Sequence, residues 1–299
     1  MTDTKTASMK MARPPWLKTR LRIGYDFREL ERIIERRNLH TVCREAVCPN
    51  MSECFSDRTA TFLILGNRCS RRCSFCGVKK GSMLAPDAHE PIRVAQAVKE
   101  IGLTHTVITS VTRDDLPDGG ARIFARTVTE IKKLQPESVV EVLIPDMGGS
   151  IESLSVILHS SPEILGHNIE TIPRLYPHTR KQADYKRSLR VLKISKELAP
   201  STATKSGLIL GMGEKKDEVL MVMDDLREVG CDLLTIGQYL PPGAGSFPVK
   251  RYYSPREFQY FYSEGMKRGF QWVESNPLVR SSYHAKNQWK HCIDSLCGS

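Results

Sequence analysis

No stretch of this 299-residue chain is apolar for long enough to cross a bilayer as a helix, so no membrane is expected as a partner. There is no low-complexity tract and no internal repeat, which excludes a repeat architecture. The first residues, Met1 to Lys18, are polar and carry Asp3, so they lack the apolar run of a secretory signal. Lys5, Lys10, Arg13 and Lys18 make only a poor transit peptide, and the expected compartment is the cytoplasm. An arginine-rich tail and an aromatic RNA-binding signature are also missing. The formal charge of +10 is therefore not read as a nucleic-acid footprint. A basic surface equally suits an acidic protein partner or an anionic cofactor.

What is present is the composition of a globular protein, 40% hydrophobic and 26% charged. The length allows one large α/β barrel-like domain or two ordinary domains. The nine cysteines say more. Six lie between Cys43 and Cys76, and the others are Cys231, Cys292 and Cys297. An odd count without a signal-like segment argues against a disulfide framework. Six thiols in so short a stretch of a cytosolic chain suggest metal ligands instead. Cys231 sits in an apolar run and reads as a core residue. Cys292 and Cys297 receive no role.

From Thr61 onward, apolar runs alternate with amphipathic stretches. The runs are Thr61–Gly66, Thr106–Val111, Val139–Ile144, Ile164–Ile169, Ser206–Gly211 and Cys231–Leu240. Each is short and β-rich, as strands buried on both faces tend to be. Helical spacing joins Val94, Ala97, Val98 and Ile101, and again Val219, Val222, Met223 and Leu226. Tyr185, Leu189 and Leu192 stripe a basic helix. Ser150 is placed to cap a helix carrying Ile151, Leu154 and Leu158. Six strand–helix alternations imply a parallel sheet with right-handed crossovers. A partial barrel and a doubly wound sheet both fit that count. Either places the active site at the C-terminal ends of the strands.

Directly after the first run comes Cys69-Ser-Arg-Arg-Cys73-Ser-Phe-Cys76, a C-x3-C-x2-C loop. Three thiolates so close in sequence bind three irons of a cubane cluster. The fourth iron is left open for a small molecule. A structural zinc knuckle would need a fourth protein ligand, which the loop lacks. This motif, following a strand and with an aromatic before its last cysteine, resembles the signature of the radical S-adenosylmethionine (SAM) superfamily. Gly207-Leu-Ile209-Leu-Gly211-Met-Gly-Glu214 is similar to the superfamily's G-x-I-x-G-x-x-E strand near the adenine. The resemblance puts Thr109 and Ser110 at the methionine end of SAM, and Asn168 and Glu170 at the ribose. For each of these polar residues alone, a turn or cap role is the ordinary reading. Asp115 and Asp118 read as helix caps ahead of Ile123 in preference to SAM contacts.

Upstream lies a second set, Cys43, Cys48 and Cys54, spaced C-x4-C-x5-C. The spacing suits neither a common zinc finger nor a thioredoxin-like pair. Three more thiolates suffice for a second cluster lacking one ligand; zinc completed by a distant residue is the bland alternative. Together with the C-terminal Arg280-Ser281-Ser282-Tyr283-His284-Ala285, the two cysteine sets resemble the lipoyl synthase family. Arg13-Pro-Pro-Trp-Leu17, Thr59-Ala-Thr61, Arg113-Asp-Asp-Leu-Pro-Asp-Gly-Gly120, His167-Asn-Ile-Glu-Thr171 and Thr235-Ile-Gly-Gln-Tyr-Leu240 belong to the same likeness, which runs from about residue 13 to about residue 285. One segment departs from it. The family has a basic, histidine-containing stretch where this chain reads Pro241-Pro-Gly-Ala-Gly-Ser-Phe-Pro-Val249.

The resemblance implies a partial (β/α)6 TIM-like barrel of the radical SAM type over residues 61–250. An N-terminal extension over 1–60 would carry the auxiliary cluster ligands, and a C-terminal extension over 251–299 the Arg-Ser-Ser-Tyr segment. It implies two [4Fe-4S] clusters and SAM as cofactors. Cys69, Cys73 and Cys76 would hold the radical-generating cluster. Cys43, Cys48 and Cys54 would hold an auxiliary cluster that gives up its sulfide, with Ser282 as fourth ligand, Ser281 as the fallback, and Arg280 and Tyr283 positioning the segment. Gly207, Gly211 and Glu214 complete the cofactor contacts. The implied reaction inserts two sulfurs, at C6 and C8 of an octanoyl-lysine. The octanoyl group is carried by a lipoyl carrier domain, of a 2-oxoacid dehydrogenase E2 component or the glycine cleavage H protein. An electron donor such as ferredoxin or flavodoxin and a cluster-repair iron–sulfur carrier are the other implied partners. A biotin synthase or methylthiotransferase would share the central motif but not the flanking ones. An iron–sulfur electron carrier or nucleic-acid sensor would have every iron ligated and would not bind SAM.

Overall fold

The computed structural model describes residues 12–19 and 21–297, with side chains to residue 291. Asp3, Lys5, Lys10 and the side chains of Cys292 and Cys297 lie outside it. The N-terminal part folds as helix α1 (Tyr25–Arg36), strand β1 (His40–Thr41) and two short helices, α2 (Val42–Glu45) and α3 (Met51–Ser56). Helix α1 buries Phe27, Leu30, Ile33 and Ile34, one apolar stripe at helical spacing. Strand β2 (Thr61–Ile64) follows, then a two-residue parallel pair, β3 (Arg68–Cys69) and β4 (Lys79–Lys80), which brackets the cysteine loop.

The alternation then runs through α4 (Glu90–Ile101), β5 (His105–Ser110), α5 (Ala121–Leu134), β6 (Val139–Leu143), α6 (Ile151–Leu158) and β7 (Ile164–Gly166). It continues with α7 (Tyr176–Thr179), α8 (Tyr185–Leu198), β8 (Ala203–Leu210), α9 (Lys216–Glu228), β9 (Leu233–Gln238), α10 (Pro255–Lys267), β10 (Trp272–Ser275) and α11 (Ala285–Cys297). Each of the six expected strands is present. The anticipated helix stripes are buried in α4 and α9; in α6 Leu154 and Leu158 are buried, with Ile157 beside them, while Ile151 in the first turn is exposed. Ser150 caps α6, its Oγ accepting the Ser153 N–H at 3.1 Å.

The sheet order is β1-β2-β5-β6-β7-β8-β9-β10, and every pairing from β2 to β10 is parallel. This order follows the chain without reversal. A doubly wound sheet must reverse at a switch point, so the architecture is the open, barrel-like one. Among the described residues β10 pairs only with β9 and β1 only with β2, so the sheet does not close. Seven parallel strands stand where six were expected. Trp272–Ser275 was missed because it is short, and only Val273 of its side chains is buried. The sheet thus includes β1 from the N-terminal extension and β10 from the C-terminal one. No helix among the described residues is long and apolar enough to cross a membrane.

After β10 the chain turns back over the mouth of the barrel. Gln238 donates its N–H to Pro277 at 3.1 Å, and Asn50 Nδ2 donates to Leu278 at 2.7 Å. The close approach requires glycine at 237: a Cβ there would lie 2.0 Å from the Val279 carbonyl oxygen. Gly237→Ala is therefore expected to push residues 277–283 off the mouth at a cost of about 1–3 kcal/mol. Limited proteolysis should find this segment newly cleavable while the rest of the barrel stays protected.

Candidate active site

The C-x3-C-x2-C loop leaves β2 through Leu65, at φ +67°. The buried Glu90 carboxylate accepts the Leu65 N–H at 2.7 Å and holds that turn. Cys69 Sγ accepts backbone N–H groups from Arg71 and Thr112, both at 3.4 Å, as a thiolate in a cluster loop does. Arg71, inside the motif, gives its guanidinium to two carboxylates. It grips Asp146 at 2.7 and 2.9 Å and Asp114 at 2.8 and 2.9 Å, and Asp146 also takes Arg187 at 2.9 Å. Arg71 and Asp146 are both buried, so this bidentate clamp ties the loop to the end of β6.

Burial would raise the Asp146 carboxyl, but the hydrogen bonds and charge of Arg71, with Arg187 behind it, hold it at about 2. A depressed carboxyl contributes stability above its unfolded pKa and loses it as pH falls toward the folded value. Acid unfolding should therefore show a step between about pH 4 and pH 2. Asp146→Asn should abolish that step and cost about 1.5–3 kcal/mol at neutral pH, measured by urea unfolding across pH.

The second cysteine set is carried by the short helices. Cys43 lies on α2, Cys54 on α3 and Cys48 between them. Burial, then the neighbouring Cys48, pushes the Cys43 thiol up to about 12. Cys54 is raised by burial and then by Cys43 and Cys48. All three cysteines line one cavity. Cys76 is pushed up to about 11 and Cys73 is also raised, both chiefly by burial. As free thiols they are protonated at neutral pH, so iron binding must release protons.

Ser282 reaches the same place from the C-terminal segment. Thr61 Oγ1 donates to its Oγ at 2.7 Å. Ser281 instead accepts from Asn168 Nδ2 at 2.6 Å. Tyr283 anchors the segment by donating to Glu53 at 3.2 Å.

One cavity of about 560 Å³ unites these parts. Cys43, Cys48, Cys54, Cys76 and Ser282 line it, with Asn168, Glu170 and Gly207. A Cβ at Gly207 would sit 2.8 Å from both Asn168 Oδ1 and Thr235 Oγ1, so glycine keeps that wall clear. Asn168 Oδ1 and Ser110 Oγ are buried without a hydrogen-bond partner, the condition of groups that await a ligand. Glu170 sits in the left-handed region at φ +66°. Burial raises its carboxyl, and Arg180 opposes that.

Other expected site residues lie outside the cavity lining. Thr109 Oγ1 donates to the Leu143 carbonyl at 2.8 Å. Glu214 accepts the N–H groups of Gly211 and Met212, so these residues shape the turn after β8. Asp118 caps α5 through the N–H groups of Gly120 and Arg122, whereas Asp115 pairs with Arg113 at 2.7 Å. Cys231 is buried in the core. The atypical loop packs on the cysteine loop: Phe247 donates its N–H to Ser74 at 2.8 Å, and Pro241 and Pro242 line the cavity.

Two residues escaped the sequence reading. Arg71 carried a signal, being a basic residue within the motif. Arg180 carried none. Its Nη1 donates to the carbonyls of Asn168 and Ile169, both at 3.0 Å, and its charge favours the Cys73 thiolate.

Among the described residues no three His, Cys, Asp or Glu side chains converge as one metal ion requires.

A family model described as the radical SAM superfamily matches residues 63–226. The N-terminal domain of lipoyl synthase of that superfamily matches residues 2–48. Among solved structures, methylornithine synthase superposes with a TM-score of 0.56 at 16% identity, over 70% of this chain and 62% of that one. A maturase of the [FeFe]-hydrogenase does so with the same score and identity, over 81% and 54%. The protein is thus an enzyme of the radical SAM superfamily, with that superfamily's SAM and [4Fe-4S] cluster. Lipoyl synthase of Rubrobacter xylanophilus is 52% identical over 92% of this chain and 86% of its own length. That of Aquifex aeolicus is 53% identical over 86% and 93%. The chain belongs to the lipoyl synthase family.

Proposed function

We propose that the protein converts an octanoyl-lysine of a lipoyl carrier domain to the lipoyl form by inserting sulfur at C6 and C8, using two clusters facing one cavity. Cys69, Cys73 and Cys76 would hold the first [4Fe-4S] cluster. Cys43, Cys48, Cys54 and Ser282 would hold the second. The observation that carries this reading is the single cavity lined by Cys76, by all three upstream cysteines and by Ser282. When bound, the first cluster and SAM supply a carbon radical able to take hydrogen from an unactivated C–H bond, and the second cluster supplies sulfur.

The chain's own groups do the positioning. Asn168 and Glu170 face the cavity as acceptors for ribose hydroxyls, with Gly207 giving the close approach. Thr109 and Ser110 close the methionine end. Gly211 and Glu214 hold the turn behind them. Phe75, Leu143, Leu240, Pro241 and Pro242 line the cavity and offer apolar surface to an acyl chain. Ser282 suits a ligand that must let go: an alkoxide is harder than a thiolate and more easily protonated away, and Thr61 already donates to its oxygen. Residues 1–60 and 251–299 act in this reading as extensions that bring auxiliary ligands to the barrel of 61–250. The carrier is an E2 component or the H protein, met in the cytoplasm. Ferredoxin or flavodoxin supplies electrons, and an iron–sulfur carrier restores the spent cluster.

The test is one anaerobic assay on protein reconstituted with iron and sulfide, given SAM, a reductant and an octanoyl-lysine peptide. A peptide heavier by two sulfurs and lighter by two hydrogens, with 5′-deoxyadenosine beside it, is the expected result. Formation of 5′-deoxyadenosine with an unchanged peptide would sink the substrate assignment. Its absence from a two-cluster preparation would sink the mechanism.

A further inference from the structure

The exposed residues in the lining of the large cavity mark its rim. They are Arg13, Thr19, Leu21, Val47, Thr59 and Pro241. Three are apolar, one is a cation and none is an acid. Leu21 is 82% exposed and Val47 66%. Scattered singly, such side chains mean little, but grouped around one opening they mark a contact surface. Val47 also stands in the left-handed region at φ +53°, an uncommon place for a β-branched residue. A cationic flank adjoins this rim, and Gly77 fixes where. A Cβ there would lie 2.9 Å from Pro242 Cβ and 3.0 Å from the Ala46 carbonyl oxygen, so the cysteine loop, the link after α2 and the proline loop meet at that point. Strand β4 begins two residues on and carries Lys79 and Lys80, with Arg68 of β3 in register with Lys79. All three cations are exposed and, among the described residues, make no ion pair.

The charge is one-sided along the chain as well. Residues 13–25 hold four Lys and Arg and no Asp or Glu, and residues 65–82 hold five and none. The whole chain has 44 Lys and Arg against 34 Asp and Glu, so both segments are a local excess. The carboxylates nearest in sequence are engaged elsewhere: Glu45 faces His40 at 3.3 Å, and Asp114 is held by Arg71 at 2.8 Å. Asp57, two residues from Thr59, opposes the excess with one charge. A small free substrate needs no such surface, since the cavity interior already offers it apolar walls. An acidic electron donor would use the cationic flank but not an apolar ring centred on the substrate opening. Both features fit a protein domain whose acidic face surrounds the acylated side chain. Resting on the octanoyl-carrier reading above, we infer that the carrier domain docks here. Leu21, Val47 and Pro241 pack around the base of its acylated lysine, and Arg68, Lys79 and Lys80 meet carboxylates of its acidic face. Pro241 opens the atypical loop, so the departure from the family falls on the surface that meets the carrier.

The test compares a carrier with a peptide. The full chain carrying both clusters is reduced with dithionite, so that no protein electron donor takes part. It is given either the octanoylated lipoyl domain of an E2 component or a short octanoyl-lysine peptide. In Lys79→Glu with Lys80→Glu, KM for the domain should rise about tenfold, and its dependence on salt should flatten. KM and kcat for the peptide should stay as in wild type, which also verifies the fold. Arg190→Glu with Lys193→Glu, exposed on α8, makes the same change in net charge and should leave KM for the domain alone. Titration of the domain into each protein should give the same order in Kd without turnover. Equal KM for the domain in wild type and the β4 variant would overturn the docking. So would an equal loss with the peptide, since the substitutions would then act inside the cavity. A loss seen only when flavodoxin replaces dithionite would assign the surface to the electron donor instead. If wild type converts neither substrate, the octanoyl reading itself fails, and the titration alone decides the docking.

Discussion

Glu141→Ala is expected to cost about 3–5 kcal/mol, more than other single changes in the barrel interior, because it strands a buried ammonium. Lys205 Nζ lies 2.8 Å from Glu141 Oε1, with both side chains almost wholly buried, and His105 Nε2 is 3.4 Å from the other carboxylate oxygen. The three come from β8, β6 and β5. Desolvating two charges is expensive, and their attraction roughly repays it; removing one partner leaves the penalty alone. The double variant Glu141→Leu with Lys205→Met should accordingly recover most of the loss. Burial by itself would raise the Glu141 carboxyl, but Lys205 and His105 outweigh it and hold it below the usual glutamate range. Stability from the pair is then full above the unfolded pKa of about 4.3 and fades as pH falls through the lower folded value. Anaerobic urea unfolding of the single and double variants measures all of this. A double variant as unstable as the single would point to lost packing instead of a stranded charge.

This pair marks the boundary of what the sequence made legible. The strands were readable because burial on both faces leaves near-continuous apolar runs, as in Phe62–Leu65 and Val139–Leu143. A charged pair inside the barrel interrupts that pattern: Glu141 sits in mid-strand and Lys205 opens what reads as a run from Ser206. Neither residue announces its partner, since 64 positions separate them. The helices were legible through their stripes, and Ser150 and Asp118 through cap chemistry. Strand β10 was not, because a four-residue strand at the sheet edge has too few periods to register.

The cysteines could be found because spacing alone limits what chemistry they serve. That four of them, Cys43, Cys48, Cys54 and Cys76, line one cavity with Ser282 could not. It depends on a chain reversal after β10 that brings Ser282 against Thr61, 221 positions away. The choice between Ser281 and Ser282 is likewise a matter of facing: the two are neighbours in one turn, and they find Asn168 and Thr61 respectively. Arg71 and Arg180 illustrate a further limit. Both act by holding backbone or charge in place, and the groups they hold lie on other strands.

Cys54→Ala and Cys76→Ala should separate the two halves of the reaction. Cys76 belongs to the loop proposed to hold the SAM-binding cluster, so its loss should abolish both 5′-deoxyadenosine and sulfur insertion, each by roughly three orders of magnitude or more. Cys54 belongs to the upstream set. Its loss should leave 5′-deoxyadenosine formation within a few-fold of wild type and remove sulfur insertion altogether. Iron content should drop by about half in either variant. Ser282→Cys sharpens the comparison. A thiolate there still completes the cluster but releases less readily than an alkoxide, so the variant should be fully loaded, cleave SAM at the normal rate and insert sulfur slowly. Product mass and 5′-deoxyadenosine, measured in one single-turnover experiment, distinguish the three. Sulfur-containing product from Cys54→Ala at the wild-type rate would require another sulfur source and would remove the upstream cysteines from the mechanism.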